Sequence, residues 1–142
     1  MRKLITLSLA AGALAVPAAT ASPLHGNPSG SKPCHGKATV MVVLKGLFVF
    51  PGFGGTFAMD ATRANRHGRP YLKAPQPLDI FVDAKTRYVK DGAAATRTDL
   101  VAKDRLVVLA KANRCALKSA TGPASLPALT GRMVVDQGPA GP

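Results

Sequence analysis

Between residues 37 and 136 apolar and polar positions alternate with a period of two, the signature of strands that bury one face. In ATVMVVLKGLFVF, residues 38 to 50, Val40, Val42, Leu44, Phe48 and Phe50 share one side, with Gly46 in the same register. A glycine there marks a sharp bend or a bulge. PGFGG at 51 to 55 predicts a turn, and TFAMDAT resumes the alternation with Phe57, Met59 and Ala61 against Thr56, Asp60 and Thr62. LDIFVDAKTRYV, residues 78 to 89, predicts a third strand with Leu78, Ile80 and Val82 inward. Its approach through Pro70, Pro75 and Pro77 suits an edge. After the turn signal Lys90-Asp91-Gly92, RLVVLAKA at 105 to 112 and TGRMVVD near the end predict two more strands. Ala93 to Val101 is the stretch with room for a turn or two of helix. These elements predict an all-β fold: a small five- to six-stranded OB-like Greek-key barrel with at most one short helix.

The two ends of the chain read differently. Arg2 and Lys3 precede an apolar run from Leu4 to Val16, and Ala19-Thr20-Ala21 supplies small residues before Ser22. This is the grammar of a secretory signal peptide over residues 1–21, and the run is short of the roughly 20 residues a membrane-spanning helix needs. A secreted or extracytoplasmic protein is expected, with no transmembrane segment after cleavage. Residues 22–36, SPLHGNPSGSKPCHG, predict an extended arm rich in Pro, Gly and Ser, and residues 137–142, QGPAGP, a flexible tail. The barrel domain is expected over residues 37–136.

Cleavage removes Arg2 and Lys3, leaving 17 basic residues against seven aspartates and no glutamate, a net charge of +10. Such an excess draws the protein toward anionic polymers or surfaces, and it also serves solubility. Two cysteines, Cys34 and Cys115, allow one intramolecular pairing, and an oxidising compartment favours a disulfide. His35 follows Cys34, but no paired-ligand spacing such as CxxC or HxxxH occurs, so no metal and no cofactor are expected.

From Asp83 to Val108 the chain carries T-x-Y at 86 to 88, K-D-G at 90 to 92 and D-L-x-x-x-D-x-L-x-V at 99 to 108. In these motifs it resembles a family of small secreted bacterial domains of unknown function with an OB-like barrel. Members similar to it carry a basic N-R-H-G-R segment, here Asn65 to Arg69, a cysteine near the end of the fourth strand, here Cys115, and P-A-L-T, here Pro127 to Thr130. The resemblance covers most of residues 38 to 136 and implies a fold more than an activity. One departure stands out: where the family pattern reads L-x-x-G-D, this chain has Lys103 before Asp104. The turn there either has no need of glycine or is strained.

No catalytic constellation emerges from the sequence, and a non-enzymatic role is expected. The serines beyond residue 21 sit in loops outside any G-x-S-x-G elbow, and His67 is the lone histidine of the folded block. PGFGG lacks the lysine and the following helix of a phosphate-binding loop. Binding features are clearer. RANRHGRPY, residues 63 to 71, joins the second and third strands, where OB-type domains hold extended ligands. Arg63, Arg66, His67, Arg69, Tyr71 and Lys73, with Phe53 on a neighbouring loop, are the candidate ligand-binding residues: cations for a charged backbone and rings for stacking. The same residues also fit a solvated hairpin tip. The expectation is a secreted module whose basic face contacts an envelope glycan or extracellular nucleic acid. The alternative is an accessory domain that docks on a protein partner.

Overall fold

The computed structural model describes residues 38–141, so the signal-peptide, arm and Cys34 expectations lie outside the described residues. Seven strands form one sheet: β1 (Thr39–Pro51), β2 (Thr56–Ala64), β3 (Leu78–Phe81), β4 (Arg87–Lys90), β5 (Ala93–Ala95), β6 (Asp104–Asn113) and β7 (Leu129–Pro139). Their order is β3-β2-β1-β6-β7-β4-β5, and β3 also meets β7 in parallel through Ile80↔Leu129 and Phe81↔Thr130. The all-β class is as expected.

The alternation read along the chain is the alternation of burial. Val42, Leu44 and Phe48 of β1, Phe57 and Met59 of β2, and Leu106, Val108, Ala110 and Ala112 of β6 are buried in one core. Gly46 sits at a register shift between β1 and β2, where a Cβ would overlap the backbone carbonyl of Asp60. The bulge therefore needs a residue with no side chain. A second shift, between Phe48 and Phe50, turns Phe50 out of the expected apolar face and leaves it 49% exposed.

Three details differ from the sequence pattern, each for a local reason. The strand expected over 78 to 89 is broken at a knot in which Thr86 Oγ donates to Gly131 O at 2.8 Å and Thr86 N–H donates to Asp83 O at 3.0 Å. That break, together with β5, raises the strand number from the expected five or six to seven. The helix expected within Ala93 to Val101 is instead β5 followed by a single 3-10 turn, Arg97–Asp99. Asp91 and Gly92 at φ 51 and 80 make a hairpin turn with two left-handed residues, and it returns Ala95 onto Tyr88. At the C-terminus β7 runs on to Pro139, past the expected boundary at 136, with Gly138 N–H held by Asp136 Oδ1 at 2.8 Å.

Asp136 and Asp104 also anchor the hairpin. Lys90 Nζ lies 2.8 Å from Asp136 Oδ2 and 3.0 Å from Asp104 Oδ2, tying β4 to β7 and β6. Hydrogen bonds to Asp136 and then Asp104 hold the ammonium well above its ordinary range. Burial pushes the Asp104 carboxyl up, but hydrogen bonds led by that from Lys90 outweigh it and leave it below the usual carboxylate range.

The Lys103 turn is strained. Asp104 N–H donates to Val101 O at 3.0 Å, and Lys103, at the third position, is held at φ 72. That position of a type II turn favours glycine, and a side chain in the left-handed region costs on the order of 1–2 kcal/mol. Part of the gain on replacement is offset by the freer unfolded chain of glycine. Lys103→Gly is expected to raise stability by about 0.5–1 kcal/mol, read from the urea midpoint at unchanged slope.

Candidate functional site

RANRHGRPY folds as a tight turn leading into a 3-10 segment, Arg69–Lys73. Asn65 builds it: its Oδ1 accepts from Gly68 N–H at 2.9 Å, its Nδ2 donates to Met41 O at 3.1 Å, and its carbonyl accepts from Arg69 N–H at 3.1 Å. Gly68 is buried against β1, and a Cβ there would fall 2.8 Å from Ala64 Cβ and 3.1 Å from Leu44 Cδ2. Asn65 and Gly68 are therefore the architecture of the motif, and Arg66, His67 and Arg69 project from it exposed.

Opposite this turn lies a short helix that sequence patterning missed. Asn113 ends β6 and caps α1 (Arg114–Ser119), its Oδ1 accepting from Cys115 N–H at 2.9 Å and Ala116 N–H at 3.0 Å. Arg114 and Lys118, four apart, share one face of this helix. Leu117 packs toward the core. The chain then knots around Ser125, whose Oγ accepts from Thr121 N–H at 3.0 Å and Gly122 N–H at 3.2 Å.

Between these two walls runs a groove of about 410 Å³ lined by Arg66, Arg69, Lys73, Leu117, Pro123 and Leu126. A second hollow of about 390 Å³ adjoins it, sharing Arg66, Pro70 and Leu117 and adding His67, Arg114 and Lys118. Five lysine and arginine side chains from two separate segments thus converge on one apolar floor, and no carboxylate lines either hollow. None of the five forms an ion pair among the described residues. Asp79 lines a smaller depression that shares Pro123 and Leu126 with the groove.

Tyr71, expected at the surface as a stacking ring, is buried. Its hydroxyl donates to Pro127 O at 2.8 Å, which staples the two walls together, and burial pushes the phenol up to about 12. Gln76 steadies the same wall, accepting from Ala61 N–H at 2.9 Å. Arg63 lies apart, in a separate depression with Lys45 and Asn65. Phe53 is farther still: Ala64 at one end of β2 pairs with Leu44, and Phe57 at the other pairs with Pro51. Roughly 25 Å of strand separates Phe53 from the groove at the ordinary rise per residue. The structure therefore brings together Arg66, His67, Arg69 and Lys73, adds Arg114 and Lys118, and leaves Arg63, Tyr71 and Phe53 out.

Among the described residues no group of three or more His, Cys, Asp and Glu side chains is placed to hold a metal ion, and no helix is long and apolar enough to cross a membrane. No protein-family model matches the chain, and no curated protein or solved structure matches it either.

Proposed function

We propose that this protein is an extracytoplasmic, non-catalytic binding module whose basic groove takes an acidic polymer, with an acidic glycan favoured over nucleic acid. The observation that carries the reading is the convergence of Arg66, Arg69, Lys73, Arg114 and Lys118 on two adjoining hollows that share Arg66, Pro70 and Leu117, without ion partners among the described residues. Cations placed this way and left unpaired create a positive potential that an anionic chain neutralises. The choice of glycan follows from the floor. Pro70, Leu117, Pro123 and Leu126 give the floor aliphatic surface, whereas single-stranded nucleic acid draws on ring stacking, and Tyr71 and Phe53 are not there. The extracytoplasmic location rests on the signal-peptide pattern of residues 1–21.

The test is binding of residues 22–142 to a labelled polyuronate and to labelled single-stranded DNA across a salt series. Binding to the polyuronate that weakens with salt, and exceeds DNA binding at each concentration, supports the reading. No binding to either polymer at low salt would overturn it.

The same location favours a Cys34–Cys115 disulfide. Arg114 N–H donates to Ala38 O at 2.8 Å, so the chain passes beside α1 just four residues after Cys34. Alkylation of the denatured protein is expected to leave both cysteines unmodified until a reductant is added. Modification of either without reductant would exclude the bond.

A further inference from the structure

We propose that the end of the sheet remote from the groove is a second contact surface, a lipid-docking tip that seats Phe53 in the interface of an anionic membrane. This goes beyond the polymer-binding reading and uses none of its residues. Phe53 is 98% exposed, and Phe50, Phe81 and Val101 are exposed at 49%, 47% and 57%. The hydrogen-bond pattern brings these residues to one rim. Val82 N–H donates to Gly55 O at 2.7 Å and Phe81 pairs with Thr56, which sets Phe81 beside the Phe53 loop. Lys103 N–H donates to Phe48 O at 2.8 Å, which brings the Val101 turn across from the end of β1, where Phe50 lies.

The loop that carries Phe53 is built to hold the ring outward. Thr56 Oγ donates to Phe53 O at 2.8 Å and Gly52 N–H donates to Thr56 O at 3.0 Å. Gly54 and Gly55 take φ 63 and 79, conformations that side chains rarely adopt. With Phe50, Phe81 and Val101 the ring makes a cluster of exposed apolar side chains at one rim, the kind of patch that marks an interaction site.

The surrounding charge selects the occupant. Arg97 and Lys103 border the same rim, the Arg97 guanidinium donating to Thr56 O at 3.3 Å at the foot of the loop and Lys103 N–H to Phe48 O at 2.8 Å, and Lys85 follows Phe81 by four residues in the adjoining loop. The carboxylates nearby are engaged: Asp83 accepts from Lys85 N–H at 2.9 Å and faces Arg132, Asp99 accepts from Thr96 N–H at 2.7 Å, and Asp104 accepts from Val101 N–H at 3.2 Å and pairs with Lys90 Nζ at 3.0 Å. An aromatic residue that enters the interface while flanking cations meet headgroup phosphates is the chemistry of peripheral attachment to an anionic membrane. The exposed apolar cluster at the rim amounts to four side chains, small beside the roughly 800 Å² per partner that a protein interface typically buries.

The chain has no tryptophan, so Phe53→Trp installs a single reporter at the tip. With phosphatidylglycerol vesicles its emission is expected to shift to the blue, to weaken in high salt, and to stay unshifted with phosphatidylcholine. Phe53→Ala is expected to lower partitioning to phosphatidylglycerol by about tenfold. Reversing charge at Arg66, Arg69 and Lys73 is expected to leave the blue shift in place, which separates this surface from the groove. Unshifted emission with phosphatidylglycerol overturns the proposal. So does a blue shift that grows with protein concentration in the absence of vesicles, which would assign the tip to a second copy of the chain.

Discussion

Gly46→Ala is expected to destabilise the protein by about 3 kcal/mol, among the larger effects available to a single methyl group. The added Cβ meets the Asp60 carbonyl and the Ala61 Cα, which are backbone atoms of the neighbouring strand, and no rotamer change can move them aside. Relief requires β1 and β2 to part at the bulge. That position lies between Leu44 and Phe48, so parting the strands there also loosens the packing of both. For a domain of this size the loss corresponds to a fall in melting temperature on the order of 10–20 °C. Gly122→Ala is the matched control: a Cβ there meets nothing within 4 Å and φ is −170, an extended value open to any residue. Its effect is expected to stay within about 0.5 kcal/mol. Equal melting temperatures for the two variants would show that the bulge adjusts freely and that Gly46 is not required by sterics.

The same bulge shows why some of the fold was legible in the sequence and some was not. Gly46 interrupts a period-two pattern at a position that should carry an apolar side chain, and that conflict is visible in one strand alone. The outward turn of Phe50 is not, because it depends on a second register shift set by pairing with β2. Likewise the break between β3 and β4 rests on Thr86 reaching the Gly131 carbonyl, a partner 45 residues away. Tyr71 follows the same logic, since its hydroxyl finds Pro127, 56 residues on. Alternation and turn chemistry are local and can be read along the chain, whereas a polar group's distant partner cannot. The groove was half legible for this reason. Arg66, Arg69 and Lys73 announce themselves as a run of charge, but Arg114 and Lys118 share a face only once Asn113 has started a helix of six residues, too short to show a period.

Charge reversal along the first wall of the groove, with Arg66, Arg69 and Lys73 all changed to Glu, is expected to lower acidic-polymer binding about 100-fold or more at low salt. The effect is electrostatic. Each cation that neutralises a polymer charge releases a condensed counterion, and removing three contacts is expected to reduce the slope of log affinity against log salt by about 2 to 3. Glutamate adds repulsion where neutral residues would merely delete attraction. Folding is expected to be unaffected, because none of the three side chains has an ion partner among the described residues and all are at least partly solvated. Two comparisons separate a built groove from the field of a protein with an excess of positive charge. Arg114→Glu with Lys118→Glu, on the facing wall, is expected to lower affinity in the same direction. Lys45→Glu with Arg63→Glu changes the net charge by the same amount as that pair but lies in a separate depression. It is expected to cost much less, about threefold to fivefold, through long-range attraction alone, and that cost should vanish as salt shortens the screening length to about 8 Å. If the Lys45 and Arg63 pair weakens binding as much as the Arg114 and Lys118 pair at every salt concentration, the groove has no special role and the polymer responds to net charge. If the facing-wall pair alone retains its effect at high salt, the polymer lies between the two walls that Tyr71 joins.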